Sequence, residues 1–129
     1  MSMLDVAIKA TTEYIDHMPK SQRKKYGQFF TSKETARFMA GLFEIPNQCQ
    51  KLSILDPGAG SGILSIALLE RLQEVPSIRE LQLVCYENDP NVVDLLRTNL
   101  EMVCSQSDKK ISYKILFDNY ILSQATDYN

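Results

Sequence analysis

Seven residues, Asp56-Pro57-Gly58-Ala59-Gly60-Ser61-Gly62, constrain this chain more than any other stretch. They follow a short apolar run at residues 51–55 and precede a segment whose apolar positions, among them Ile63, Leu64, Ile66, Leu69 and Leu72, nearly encircle a helix. The run reads as a buried parallel strand, and the segment as a crossover helix pressed on a sheet until Pro76 and Ser77 interrupt it. Glycines at alternate positions between the two let backbone approach a ligand without side-chain obstruction. The helix behind them aims free N–H groups and partial positive charge at an anion, either a phosphate or a carboxylate. Each glycine costs roughly 0.5–1 kcal/mol of backbone entropy relative to alanine, which weighs against a turn that holds nothing. The spacing fits neither common nucleotide loop. G-x-G-x-x-G would need glycine at Ile63 or Ser65, and a Walker loop would need a lysine that follows none of these glycines.

The rest of the chain repeats this grammar. Residues 81–86 form a second apolar run ended by Glu87-Asn88-Asp89-Pro90, where Asp89 suits a helix N-cap and Pro90 the first helical position. The helix that follows carries Val92, Val93, Leu96, Leu100 and Val103 on its buried side. Alternation of Ile111, Tyr113, Ile115 and Phe117 with Ser112, Lys114 and Leu116 predicts a third strand, ending at Asp118-Asn119. Strand, helix, strand, helix, strand is half of a doubly wound α/β sheet. Upstream, Val6, Ala7, Ala10, Tyr14, Ile15 and Met18 share one face of a predicted amphipathic cover helix over residues 4–18. The period is lost from Pro19 to Phe30. Thr31 and Glu34 then form a capping box that opens a helix to about Phe43, closed by Pro46 and Asn47. Residues 122–129 are polar and read as a connection. A half-sheet leaves its first strand with an unpaired edge, available for self-association, so a piece of a longer chain is expected.

Glu87 stands just past the second strand, at the carboxyl end of the sheet where open α/β folds bind ligands. A carboxylate there accepts hydrogen bonds from both hydroxyls of a ribose, although an ordinary loop acid beside a helix start is the plainer alternative. Asp118 repeats that placement on the third strand. Composition sets the outer limits: 129 residues, 44% hydrophobic and 23% charged, suffice for one globular core. No apolar run is long enough to cross a bilayer and no leader-like segment opens the chain, so a cytoplasmic location is expected. Cys49, Cys85 and Cys104 lack metal-ligand or framework spacing, and His17 is the single histidine, so neither zinc nor disulfides are expected. A net charge of -2 rules against coating nucleic acid by bulk charge. Contact with DNA phosphates would fall to the local cluster Lys20, Arg23, Lys24 and Lys25, for which a solvated basic turn is the competing reading.

Taken in order, Tyr26-Gly27-Gln28-Phe29-Phe30-Thr31, Ile54-Leu55-Asp56-Pro57-Gly58-Ala59-Gly60-Ser61-Gly62, Tyr86-Glu87-Asn88-Asp89 and Asp118 resemble the cofactor motifs of adenine-N6 DNA methyltransferases of bacterial restriction-modification systems. The resemblance covers about residues 20–120. It is most specific in the aromatic GQFFT segment, because the glycine loop alone is shared by many methyltransferases. It implies a partial doubly wound, Rossmann-like methyltransferase sheet with N-terminal helices, and S-adenosylmethionine as cofactor. Residues 1–30 would carry a helix and an aromatic wrapping segment, and residues 31–129 part of the cofactor-binding domain. Tyr26 belongs to that segment, and Gly27, Gln28, Phe29, Phe30 and Thr31 would wrap the methionine end, while Asp56 with the stretch Gly58 to Gly62, its glycines being Gly58, Gly60 and Gly62, would hold the amino-acid part. Glu87 would take the ribose hydroxyls, Asn88 would lie beside the adenine, and Asp118 would meet its exocyclic amine. One of the two phenylalanine rings can instead staple the following helix. Ser32 departs from the proline common in relatives, and serine also starts helices.

The catalytic motif of such enzymes resembles Asn/Asp-Pro-Pro-Tyr/Phe, and no such tetrapeptide occurs here. The expectation is a cofactor-binding portion, itself inactive, of a full-length enzyme that extrudes an adenine from duplex DNA and methylates its amino group. The rival expectations are a portion of an RNA or protein-glutamine methyltransferase, which shares the cofactor loop, and a non-catalytic interaction module on the same fold.

Overall fold

In the computed structural model, residues 1–118 are described, without the side chains of residues 25–29. The predicted connection at 122–129 lies outside the described residues. The elements in chain order are helices α1 (Met3–Asp16), α2 (Lys20–Phe29) and α3 (Lys33–Gly41), then strand β1 (Lys51–Asp56), α4 (Ile63–Gln73), β2 (Glu80–Tyr86), α5 (Pro90–Gln106) and β3 (Lys110–Leu116). The strands are parallel in the order β1-β2-β3, with Leu52, Leu81 and Ile111 in one register row and Ile54, Leu83 and Tyr113 in another. This is the α/β arrangement expected, a partial Rossmann-like sheet.

Parallel neighbours must be joined by crossovers, and both crossovers here step across the sheet in the same direction, so α4 and α5 fall on one face. Leu81, Leu83 and Cys85 are fully covered on that face, with Leu52, Ile54, Ile111, Tyr113 and Ile115 packed beside them. The opposite face is open among the described residues: Lys51, Ser53, Ser112 and Lys114 are exposed, and Leu55 is 50% exposed. β1 is therefore half-exposed rather than the fully buried strand that its apolar run predicts. Its outward side carries Lys51, Ser53 and Leu55, and only the side of Leu52 and Ile54 receives helices.

α1 is the predicted cover and packs on both α4 and α5. Its inner line is Leu4, Ala7 and Thr11, while Val6, Ala10, Tyr14, Ile15 and Met18 are only half-buried. α2 occupies the stretch without apolar period. Its lysines, arginine and glutamines are good helix formers, and the Pro19 carbonyl accepts from the N–H groups of Gln22 and Arg23. At α3 the expected cap is off by one residue. Ser32, in extended conformation, is the N-cap and accepts from Thr35 N–H at 3.2 Å, so Thr31 lies before the helix and Glu34 is not in the box position. α3 also ends at Gly41 rather than about Phe43. From α4, Arg71 Nη1 donates to the carbonyls of Ala40 at 2.6 Å and Phe43 at 2.7 Å and so satisfies that terminus.

Candidate functional site

The loop between β1 and α4 is shaped by hydrogen bonds to its own amides. Gly58 N–H donates to Asp56 Oδ1 at 3.2 Å, Ala59 N–H to the Tyr86 carbonyl at 3.0 Å, and Gly60 N–H to Glu87 Oε1 at 2.8 Å. Gly62 N–H turns back to the Ala59 carbonyl at 2.9 Å. Gly60 and Gly62 have φ of 57° and 92°, in the region that side chains rarely occupy. A Cβ on Gly62 would also sit 2.9 Å from Leu96 Cδ1. Gly58 differs, since its missing Cβ would point into open space. Gly60 and Gly62 thus answer to backbone shape, whereas nothing among the described residues asks for glycine at 58.

Two acids organise the loop. Asp56, only 9% exposed, directs its second oxygen inward to accept from Ser65 Oγ at 2.6 Å, tying strand end to helix start. Glu87 is half-buried and uses one oxygen for Gly60 N–H and the other for Asp89 N–H at 3.0 Å, while its own N–H donates to the Leu116 carbonyl. Through these bonds Glu87 joins the ends of all three strands. Each carboxylate oxygen accepts roughly two hydrogen bonds, so Glu87 keeps acceptor capacity after both contacts. Beside Asp56, burial first and that carboxylate second push the Cys85 thiol up to about 12, which leaves it uncharged and unreactive.

Phe30 closes the other side, with ring atoms 3.9 and 4.0 Å from the place a Gly60 Cβ would take. Phe30, Thr31, Gly58, Gly60, Ile63 and Leu64 line a cleft of about 80 Å³ in front of the first turn of α4. That volume takes an amino-acid-sized group and not a whole nucleoside, since pockets for drug-sized ligands run to roughly 300–1,000 Å³. A larger hollow of about 470 Å³ lies at Arg37, Ala40, Glu70 and Arg71, away from the loop, and its Arg71 is occupied in holding α3.

Of the residues singled out from the sequence, Phe30, Thr31, Gly58 and Gly60 line this cleft, Asp56 and Glu87 are hydrogen-bonded to its loop, and Gly62 ends that loop. Asn88 is exposed in the connection to α5, and Asp118 is exposed two residues past the end of β3, whose last carbonyl holds Glu87 N–H. The backbone of Tyr26, Gly27, Gln28 and Phe29 forms the last turn of α2, and their side chains lie outside the described residues, as does that of Lys25. Lys20 and Lys24 are exposed and Arg23 half-exposed. The start of α2 stands by Asn91, in the first turn of α5, where Tyr14 Oη donates to the Asn91 carbonyl at 2.7 Å. This puts the basic helix at the same end of the sheet as the cleft.

Sequence reasoning passes over Thr11 and Asn99 and gives Ser61 no part beyond its place in the loop; all three are buried. Asn99 Nδ2 donates to the Ser61 carbonyl at 2.8 Å, and Thr11 Oγ1 lies 3.0 Å from Ser61 Oγ. Their signal is available in hindsight: Asn99 falls in step with Val92, Leu96 and Val103, and Thr11 with Leu4 and Ala7, so each is a polar residue on an inner line. Among the described residues, no group of histidine, cysteine or acidic side chains could hold a metal, and no helix is long and apolar enough to cross a membrane. The profile of one protein family, N-6 DNA methylase, matches residues 10–125. A search of curated proteins gave no match.

Proposed function

Given that this chain belongs to the N-6 DNA methylase family and is thereby a DNA methyltransferase domain, we propose that its cleft holds the amino-acid end of S-adenosylmethionine, with the nucleoside outside it beside Glu87, for methylation of adenine N6 in DNA. One observation carries the reading: a carboxylate at the end of β2 and an open, side-chain-free loop at the end of β1 meet through the bond from Gly60 N–H to Glu87. The residues present fit the cofactor. Gly58 leaves room that a Cβ would take, and Glu87 has acceptor capacity left for ribose hydroxyls. When bound, S-adenosylmethionine supplies the electrophilic methyl group, and the protein supplies position.

Each residue then has a task. Gly58, Gly60 and Gly62, with the N-terminus of α4, receive the amino-acid end, and Asp56 fixes the loop that presents them. Phe30 and Thr31 close over that end, joined in this proposal by Tyr26, Gly27, Gln28 and Phe29. Asn88 borders the adenine and Asp118 accepts from its amine. Arg23, Lys24 and Lys25 on α2 face phosphates of a DNA held at the same end of the sheet. The methyl-transfer step itself is assigned to no residue of this sequence, which contains no Asn/Asp-Pro-Pro-Tyr/Phe. Residues 1–30 form the covering and wrapping part, and residues 31–129 the cofactor-binding part, of a cytoplasmic enzyme in a restriction-modification setting.

Isothermal titration with S-adenosylmethionine tests the reading. Binding is expected, weakened in Glu87→Ala by about 1.5–3 kcal/mol, the worth of hydrogen bonds to a charged group. A folded chain that gives no heat at millimolar ligand would refute cofactor binding. An unchanged affinity in Glu87→Ala would remove the ribose role from this residue.

A further inference from the structure

Ser61 is the most enclosed residue of the glycine loop, 1% exposed, and it sits between the two glycines of positive φ. Its hydrogen bonds leave the loop in two directions. Its carbonyl accepts from Asn99 on α5, and its hydroxyl meets Thr11 on α1. Thr11 Oγ1 is also 2.8 Å from the Ala7 carbonyl, which has no proton to give, so the single Thr11 proton goes there and Ser61 donates to Thr11. Asp56, Glu87 and the Tyr86 carbonyl hold this loop from the strand ends, and Thr11 and Asn99 add holding groups from the helices behind it.

We propose that Thr11 and Asn99 are positioning residues: acting through Ser61 from α1 and α5, they hold the glycine loop in the one conformation that receives the cofactor. The effect on the cofactor rests on the S-adenosylmethionine reading above, whereas the effect on the loop does not. Asn99→Leu leaves the buried Ser61 carbonyl without its donor, and Thr11→Val leaves the Ser61 hydroxyl without its acceptor. Thr11→Ser keeps that acceptor. Ser61→Ala removes the hydroxyl link and orphans nothing, because Thr11 still donates to Ala7.

Amide hydrogen exchange separates loop positioning from general stability, with β2 amides as the internal reference. In Asn99→Leu and Ser61→Ala the amides of Ala59, Gly60 and Gly62 are expected to exchange about tenfold faster than in the unsubstituted chain, the scale of one buried hydrogen bond, with β2 amides unchanged. Titration with S-adenosylmethionine is expected to show a similar loss of affinity in Thr11→Val and its recovery in Thr11→Ser. If Asn99→Leu does not fold, the shorter Asn99→Ser is read in its place for the bond from α5, while Ser61→Ala decides the bond from α1. Loop amides that exchange as in the unsubstituted chain, or that quicken only in step with β2, overturn the proposal. Should the unsubstituted chain fail to bind S-adenosylmethionine, the cofactor reading falls, and the exchange comparison still decides whether Thr11 and Asn99 hold the loop.

Discussion

Gly58 and Gly62 stand four residues apart and answer to opposite constraints. Gly62, at φ 92° and with Leu96 Cδ1 2.9 Å from where a Cβ would be, cannot take alanine without strain and a clash. Gly58→Ala meets nothing within 4 Å among the described residues. We predict that Gly62→Ala lowers the stability measured by urea denaturation by about 1–3 kcal/mol, the usual worth of overpacking and disfavoured backbone. Gly58→Ala should leave stability within about 1 kcal/mol of the parent while weakening S-adenosylmethionine binding at least tenfold. Equal affinity in the parent and Gly58→Ala would mean that the open space in front of this residue is not where ligand lies. At this scale the sequence disclosed residues that shape the loop, namely Asp56, Gly60, Gly62 and Glu87, because acids and glycines gather there between a strand end and a helix start. It did not disclose Ser61, Thr11 or Asn99. Their purpose depends on which helix faces meet behind the loop, and no local pattern records that.

Element boundaries follow caps, and caps are where the sequence misled by one residue. Thr31 and Ser32 both offer a hydroxyl at the start of α3, and only the extended backbone at Ser32 points one at Thr35 N–H. Ser32→Ala is expected to cost about 1 kcal/mol and Thr31→Ala a few tenths, read from denaturation midpoints. The reverse ranking would return the cap to Thr31. α1 is held against α3 by Lys33 Nζ, 2.5 Å from Asp5 Oδ1. That bond, helped by the Ser2 hydroxyl, brings the Asp5 carboxyl down from 3.8 to about 2. A depressed carboxyl adds stability above its unfolded value and loses it as pH falls through the folded one, so this contribution should fade between about pH 4 and pH 2. The difference in urea midpoint between the parent and Lys33→Met should therefore be present at pH 7 and shrink as pH approaches 2. A gap that persists undiminished would show that Lys33 acts through something other than Asp5. α2 had no legible period because few of its residues are apolar, so its helix rests on propensity and on the Pro19 carbonyl.

Across the whole molecule, the order of strands and helices was legible because each strand ends in a chemical signature at its carboxyl end. The one-sided covering of the sheet was legible in the alternation of β3, whereas in β1 the adjacent pair Ile54 and Leu55 made the strand read as buried on both faces. The covered face gives a simple report on global integrity. Cys85 lies fully buried there with its thiol raised to about 12, whereas Cys49 is half-buried outside the sheet. A thiol reagent should modify Cys49 in the native protein and reach Cys85 only at the rate of global unfolding. Modification of both at one rate would show that the core between α4, α5 and the sheet opens freely. The two bonds from Arg71 carry a last consequence. The first turn of α4 is the floor of the cleft, and its last turn grips the end of the helix that follows Phe30 and Thr31. Floor and lip are thus mounted on the same rod. The width of the mouth is thereby set by one straight helix rather than by the reach of a loose flap.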